Sequence, residues 1–187
     1  MRNIIILGGN GYVGRELTAQ WLSHDPRAEF YIVSRSGKGA VDNPRVHSIK
    51  ANARDVAAVE SQLPKDTKYT CIVDLVGDVT NMARNVQAAR RTLALARRHD
   101  IPEIGYVAGC VGPARFRHTK RSITEHLERS NRKVVVVNPS VIYGGGRNDA
   151  YVKAVPALSA LGHVFPRLMP RTVDDVAHEL VMELSTM

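Results

Sequence analysis

Short apolar runs recur along the chain and predict buried strands. Most are continuous and rich in Val and Ile, a pattern typical of parallel strands that are covered on both faces. The runs lie at residues 3–7 and at about residues 30–33, 46–50, 70–76, 104–108 and 134–137.

Segments with apolar residues at helical spacing separate these runs. Val13, Leu17 and Trp21 recur every four positions, which indicates an amphipathic helix directly after the first strand. Further helices are predicted at about residues 55–63, 81–99 and 118–130, and from residue 172 onward. Because strand and helix alternate, we expect an α/β fold, a doubly wound Rossmann-like parallel sheet with helices on both faces.

The composition favours a single domain over residues 1–187. Hydrophobic residues make up 44% of the chain and charged residues 24%. No apolar run approaches the roughly 20 residues of a spanning helix, and the apolar run near Met1 is too short for a signal peptide. Cys71 and Cys110 are interpreted as reduced core thiols, so we expect a cytoplasmic protein. No spacing of His, Cys and carboxylates indicates a metal site.

Positive charge exceeds negative charge, with 26 Lys and Arg against 18 Asp and Glu, a formal net charge of +8. Such a charge favours anionic partners, which include nucleotides as well as nucleic acids. Five arginines of the longest predicted helix fall off its apolar stripe and are interpreted as a solvated face: Arg84, Arg90, Arg91, Arg97 and Arg98. No aromatic residues interleave with them, so we expect neither nucleic acid nor a membrane as a partner. A homo-oligomer is left open.

A glycine-rich segment joins the first strand to the first helix. It reads Gly8-Gly9-Asn10-Gly11-Tyr12-Val13-Gly14, with glycines at the spacing GxxGxxG. In this strand–turn–helix context the glycines permit a sharp turn and a close approach of the backbone to a pyrophosphate, which the helix N-terminus attracts. We therefore predict a dinucleotide site.

The end of the second strand bears on which dinucleotide binds. NAD-selective sites place a carboxylate there, whereas this chain has Ser34, Arg35, Ser36 and Lys38. Arg35 can form a planar fork on a 2′-phosphate, and the neighbouring hydroxyls and Lys38 can assist it. NADP(H) is therefore predicted in preference to NAD(H), with an ordinary basic turn as the alternative.

These residues resemble the short-chain dehydrogenase/reductase superfamily, in its extended and atypical branches that include the NAD-dependent epimerases. Besides the glycine motif, the segments at residues 138–144 and 172–177 are similar to two further ordered motifs of that superfamily. The resemblance implies a cofactor site at Gly8, Asn10, Gly11, Tyr12, Val13, Gly14, Ser34, Arg35, Ser36, Lys38, Asn52, Leu75, Val76, Gly77, Lys120 and Pro139. Asn52 stands where the family has an Asp that contacts adenine.

The resemblance also implies hydride transfer assisted by a Tyr-x-x-x-Lys pair and a Ser. Here Lys120 is present, but Phe116 occupies the Tyr position and the fifth strand ends without the Ser. His118 and Cys110 lie near the empty position, and both are residue types that can exchange protons in enzyme sites, so His118 joins Lys120 as a catalytic candidate. On a regular helix, however, His118 would face a different side from Lys120.

Two functions follow from this combination. The first is an NADP(H)-dependent oxidoreductase that reduces a small carbonyl or quinone-like substrate without the usual Tyr acid. The second is a non-catalytic NADP(H)-binding sensor or scaffold. Residues 145–171 are expected to form only a small lid, substrate-contacting or interface segment, which is too short to enclose a large sugar nucleotide.

Overall fold

The computed structural model describes residues 1–148 and 150–186 and contains a six-stranded parallel sheet in the order β3-β2-β1-β4-β5-β6. The strands are β1 (Asn3–Leu7), β2 (Glu29–Ser34), β3 (Val46–Lys50), β4 (Cys71–Asp74), β5 (Glu103–Val107) and β6 (Lys133–Val137). The strand order reverses between β1 and β4, which creates the crevice where ligands of such sheets bind. The predicted α/β class is therefore confirmed.

Helices cover both faces of this sheet. They are α1 (Tyr12–His24) and α7 (Val173–Ser185) on one face and α2 (Val56–Glu60), α3 (Met82–Arg98) and α4 (Ala114–Glu128) on the other. Two further helices, α5 (Ala150–Lys153) and α6 (Val155–Gly162), lie between β6 and α7 along the chain. Asp55 caps α2 through a hydrogen bond from the Ala58 N–H, as its sequence position indicated. Thr172 and Asp175 form a capping box at the start of α7.

The apolar core lies in two layers, because successive side chains of a strand point to opposite faces. Ile4 and Ile6 of β1 pack toward α1 and α7, where the fully buried Trp21 lies. Ile5 and Leu7 pack toward α2, α3 and α4. Both cysteines are unpaired. Cys71 is buried in the core as expected, but Cys110 is only half-buried, so the expectation of a core thiol is wrong for Cys110.

Helix α4 begins four residues earlier than predicted. Pro113 lies at its N-cap position, and the helix continues from Ala114 without interruption. Phe116 and Lys120 are thus one helical turn apart on the buried side, while His118 between them is exposed. The sequence reading placed the start at His118 and left Phe116 outside the helix.

The segment between β6 and α7 forms a small appendage. The short strands β7 (Ile142–Tyr143) and β8 (Arg171–Thr172) pair in parallel and anchor its two ends, a feature that the sequence did not predict. Helix α6 leaves Leu161 about half exposed. Within the described residues, no helix is both long and apolar enough to cross a membrane.

Candidate functional site

The glycine loop forms the floor of the crevice between β1 and β4. Gly8 adopts a positive φ of 78°, which permits the sharp turn, and its N–H donates to the Val33 carbonyl oxygen at 2.9 Å. A Cβ on Gly14 would lie 2.3 Å from the Gly9 carbonyl oxygen, so only glycine lets the helix start this close to the loop. Gly11 is the N-cap of α1 and has no side chain to cap it, which leaves the positive end of the helix to an external anion.

Asn10 connects this loop to the end of β2. Its amide nitrogen donates to the Ser34 hydroxyl at 2.8 Å and to the Lys38 carbonyl oxygen. The Ser34 hydroxyl in turn accepts from the Gly37 N–H at 3.1 Å. These bonds hold the predicted 2′-phosphate loop against the glycine loop, so the two motifs form one continuous surface.

A first cavity of about 420 Å³ lies beside the glycine loop, within the range of small-molecule sites. Its lining includes the predicted site residues Gly8, Gly11, Tyr12, Val13, Gly14, Leu75, Gly77, Lys120 and Pro139. Most of the other lining side chains are apolar, among them Val79, Val107 and Val111. This cavity therefore suits a flat, largely apolar ring with few polar contacts.

Lys120 is the buried cation of the first cavity. Its side chain is only 4% exposed, and its ammonium donates to the Val107 carbonyl oxygen at 2.9 Å. The same nitrogen lies 4.6 Å from the centroid of the Tyr106 ring. Burial lowers the pKa of Lys120 to about 8, although the nearby Asp74 carboxylate favours the charged form.

Asp74 and Tyr106 form a buried polar layer beneath Lys120. The Asp74 carboxylate accepts from the Thr92 hydroxyl at 3.0 Å and from the Val76 N–H at 2.9 Å. Burial raises the pKa of both Asp74 and Tyr106. The Tyr106 hydroxyl has no hydrogen-bond partner among the described residues. Sequence reasoning missed this layer, because Asp74 and Tyr106 are far apart along the chain and meet only through strand pairing.

The structure separates the alternative acid candidates from the cavity. Phe116 contributes its ring to the lining, whereas His118 and Cys110 do not line the cavity. The Cys110 thiol instead donates to the Arg167 carbonyl oxygen at 3.2 Å, and burial raises its pKa. Because α4 is already regular at Phe116, His118 points to solvent and is not brought to Lys120.

A second cavity of about 750 Å³ continues from the first toward β2 and β3. The two share Gly8, Gly11, Leu75, Gly77 and Asp78, and the second is also lined by the predicted residues Asn10, Ser34, Arg35, Ser36, Asn52 and Val76. Lys38, predicted with Arg35, does not line it. The two cavities together run along the carboxyl edge of the sheet with the glycine loop between them.

The second cavity is also lined by two arginines that sequence reasoning did not assign to the site. Arg54 donates from its Nε to the Asn52 amide oxygen at 3.3 Å, which leaves the Asn52 amide nitrogen to donate to a ligand. Arg84 pairs with Asp78 at 3.1 Å at the opposite wall. Hydrogen bonds from Thr80 lower the pKa of Asp78 to about 2, and Arg84 adds to that shift. Only the fold places these α2- and α3-side residues beside Arg35, so no sequence motif marks them.

Arg147 closes the first cavity from the appendage. Its guanidinium donates to the Tyr12 hydroxyl at 2.8 Å and to the Ile142 carbonyl oxygen at 2.8 Å. Tyr151 lines the same wall. Of residues 145–171, these two are the ones that reach the cavity in the part of the chain that the structure describes. The run of three glycines just before Arg147 was the sequence signal that marked this turn.

A metal centre is not assembled in the residues that the structure describes. Among them, no group of three or more His, Cys, Asp or Glu side chains is placed to hold a metal ion.

A Rossmann-type sheet with a glycine loop at its topological switch point is the arrangement typical of dinucleotide-binding proteins. The model of the NAD dependent epimerase/dehydratase family matches residues 4–100, slightly more than half of the chain. The protein belongs to that family, which confirms the resemblance seen in the motifs. No curated protein sequence matches the chain significantly.

Solved structures share this fold at low sequence identity. The Bordetella bronchiseptica enzyme WbmH in complex with NAD+ has a TM-score of 0.73 and 14% identity, over 99% of this chain and 73% of that one. UDP-glucose 4-epimerase from Thermus thermophilus, in complex with NAD, has a TM-score of 0.74 and 14% identity, over 99% of this chain and 75% of that one. A Rossmann-fold NAD(P)-binding family protein from Shigella flexneri has a TM-score of 0.72 and 14% identity, over 100% of this chain and 87% of that one.

Proposed function

We propose that this protein binds NADP(H), in preference to NAD(H), across the two connected cavities and reduces a small carbonyl or quinone-like substrate. The observation that carries the proposal is the single continuous crevice that runs from Arg35, past the uncapped N-terminus of α1, to the buried Lys120. The NAD dependence of the family and the bound NAD of the structural neighbours support a dinucleotide in this place.

The residues of the crevice fit the parts of such a cofactor. Gly11 leaves room for a pyrophosphate, since it lines both cavities without a side chain and a Cβ there would already lie 3.2 Å from the Gly8 carbonyl oxygen. Arg35 lies at the exposed end of the second cavity, where a 2′-phosphate would gain a charge-assisted fork. The free amide nitrogen of Asn52 can donate to a ring nitrogen of adenine. Lys120 and Pro139 line the first cavity and would contact the nicotinamide riboside.

When bound, the reduced cofactor supplies a hydride to the substrate. The apolar wall around Phe116 excludes water, and Lys120 adds a positive charge beside it. With its pKa lowered to about 8, the Lys120 ammonium can stabilise negative charge that develops on a substrate oxygen or release a proton to it. Because Phe116 offers no proton, we propose an acceptor that needs little acid assistance, as a quinone does.

The small appendage supports a small substrate. Only Arg147 and Tyr151 reach the cavity from the described part of residues 145–171, so this segment offers few groups to enclose a sugar nucleotide. The two unpaired thiols support the expected reducing, cytoplasmic location.

The alternative is a non-catalytic NADP(H)-binding sensor or scaffold, which the Phe at position 116 favours. Absorbance at 340 nm, followed with NADPH and a panel of quinones and small aldehydes, separates the two functions. Turnover that saturates with both reactants supports the reductase. Tight NADPH binding without turnover on any acceptor supports the alternative, and absence of NADPH binding contradicts both.

A further inference from the structure

The exposed surface of α3 and α4 is strongly basic. Helix α3 carries five arginines and no acidic residue, and the first half of the neighbouring α4 adds three more. These two helices pack side by side on the same face of the sheet. The eight side chains are all exposed, and we call them the basic face: Arg84, Arg90, Arg91, Arg97, Arg98, Arg115, Arg117 and Arg121.

Most of this charge is not neutralised within the described residues. Three of the arginines have carboxylate partners, namely Arg84 with Asp78, Arg98 with Glu60 and Arg121 with Glu125. The other five form no ion pair in the part of the chain that the structure describes: Arg90, Arg91, Arg97, Arg115 and Arg117. Five unpaired guanidinium groups on one surface repel each other unless an anionic partner binds there.

The remaining side chains of α3 and α4 indicate which class of partner the basic face can bind. Among the described residues, the large hydrophobic side chains that are exposed lie outside α3 and α4. Insertion into a bilayer or an apolar protein interface would need such side chains, so neither fits this face. Exposed aromatic rings, on which single-stranded bases stack, do not occur on α3 or α4 either.

Phosphate groups suit this surface best. Arginine presents a planar fork that binds phosphate oxygens in pairs. The 17 residues of α3 extend about 25 Å at 1.5 Å per residue. A nucleic-acid duplex carries about one charge per 1.7 Å of its axis, so roughly 15 phosphates of the two strands fall within this length, and the surface faces those on its own side of the duplex.

We propose that the basic face binds the phosphate backbone of a nucleic-acid duplex without sequence preference. The proposal reverses the sequence-based expectation that nucleic acid is not a partner. That expectation treated the arginines as solvated charges dispersed along the chain, whereas the fold packs the two arginine-bearing helices side by side. The proposal goes beyond the dinucleotide site and does not depend on it.

Fluorescence anisotropy with labelled 24-base-pair DNA and RNA duplexes of two unrelated sequences tests the proposal. We expect saturable binding at 50 mM salt, with affinities that differ less than threefold between sequences. The affinity should fall by at least tenfold as salt rises to 200 mM, because binding releases counterions.

The decisive variant combines Arg90→Gln, Arg91→Gln and Arg97→Gln, which avoids Arg84 at the dinucleotide cavity. It should lose at least tenfold in affinity, and the slope of log affinity against log salt should decrease by about 3. The matched control combines Arg15→Gln, Arg27→Gln and Lys153→Gln, which removes the same charge from exposed positions outside α3 and α4. The control should change the affinity less than threefold.

Several results would overturn the proposal. They are absence of saturable binding at 50 mM salt, equal losses in the decisive and control variants, and binding to a single strand, to phosphatidylserine vesicles or to poly-glutamate as tight as binding to duplex. Circular dichroism shows whether the triple variant is folded. If it is not, the double variant Arg90→Gln/Arg97→Gln, whose positions lie two turns apart on the same side of α3, decides, with at least a fivefold loss expected.

Discussion

The Lys120 ammonium donates a hydrogen bond to the Val107 carbonyl oxygen at 2.9 Å and thereby ties α4 to the end of β5. This bond holds a cation inside the first cavity, next to the ring of Phe116. Lys120 stands where the resemblance implies the family's lysine, while Phe116, one helical turn before it, carries no hydroxyl. The consequences of that combination can be measured.

The first prediction concerns stability against pH. Burial lowers the pKa of Lys120 from its ordinary 10.5 to about 8, so between these values the folded protein holds fewer protons than the unfolded chain. Burial of the charged Lys120 therefore destabilises the folded state by its full amount below pH 8, and this destabilisation disappears as pH rises toward 10. Relative to Lys120→Met, the unfolding free energy of the wild type should rise by about 2 kcal/mol between pH 7 and pH 10.

Urea unfolding at a series of pH values measures this difference. The exposed Lys153→Met serves as the control, and its difference from the wild type should stay constant over the same range. A constant difference for Lys120→Met as well would mean that Lys120 titrates like a solvated lysine.

The second prediction concerns the 2′-phosphate. Arg35→Asp replaces the guanidinium at the end of β2 with a charge that repels phosphate. Loss of a charge-assisted fork of about 1.5–3 kcal/mol should weaken NADPH binding by at least tenfold, whereas NADH binding should change less than threefold. Fluorescence titration of both nucleotides compares this variant with Arg27→Asp, a control at another exposed arginine. Equal weakening of NADPH and NADH by Arg35→Asp would remove the assigned role.

The third prediction compares two exposed glycines, of which only Gly11 lines the cavities. A Cβ on Gly11 would lie 3.2 Å from the Gly8 carbonyl oxygen, and a Cβ on Gly39 would lie 3.2 Å from the Ser48 hydroxyl, which can rotate away. Gly11→Ala should weaken dinucleotide binding by at least tenfold, because its methyl group projects toward the pyrophosphate position. Gly39→Ala should leave binding unchanged. Titration with NADPH together with thermal unfolding distinguishes this outcome from a general loss of folding, which would affect stability in both variants.

The fourth prediction concerns the missing acid. Phe116→Tyr restores a hydroxyl one helical turn before Lys120, on the buried side of α4. General acid catalysis is worth about 10²–10⁴-fold when well positioned, so reduction of a small aldehyde by NADPH should accelerate at least tenfold. Phe116→Leu, which keeps the site apolar, should not accelerate it. No gain with Tyr would indicate that the ring does not point its para position at the substrate.

The sequence predicted the layers of the fold well, because they depend on local patterns. Each of these patterns lies within one contiguous segment and can be recognised without knowledge of the rest of the chain. Examples are the apolar run of β1, the glycine loop and the periodicity of α3. The start of α4 was missed by four residues, because the polar residues 117–119 hide a helix whose apolar side consists of widely spaced positions.

The candidate site was predictable only where a motif marks it. Gly8, Arg35 and Lys120 belong to recognisable segments, and the structure places all three along one crevice. Asp74 and Tyr106 escaped notice because strand pairing alone brings them together. The same reason explains the arginines of α3 and α4, whose common surface depends on how two separate helices pack.

The most direct test of the central claim is a fluorescence titration of the wild-type protein with NADPH and, in parallel, with NADH. The account predicts saturable binding of both nucleotides, with NADPH at least tenfold tighter because Arg35 contacts its 2′-phosphate. Tighter binding of NADH would contradict the assigned preference. Absence of saturable binding of either nucleotide would contradict the account as a whole.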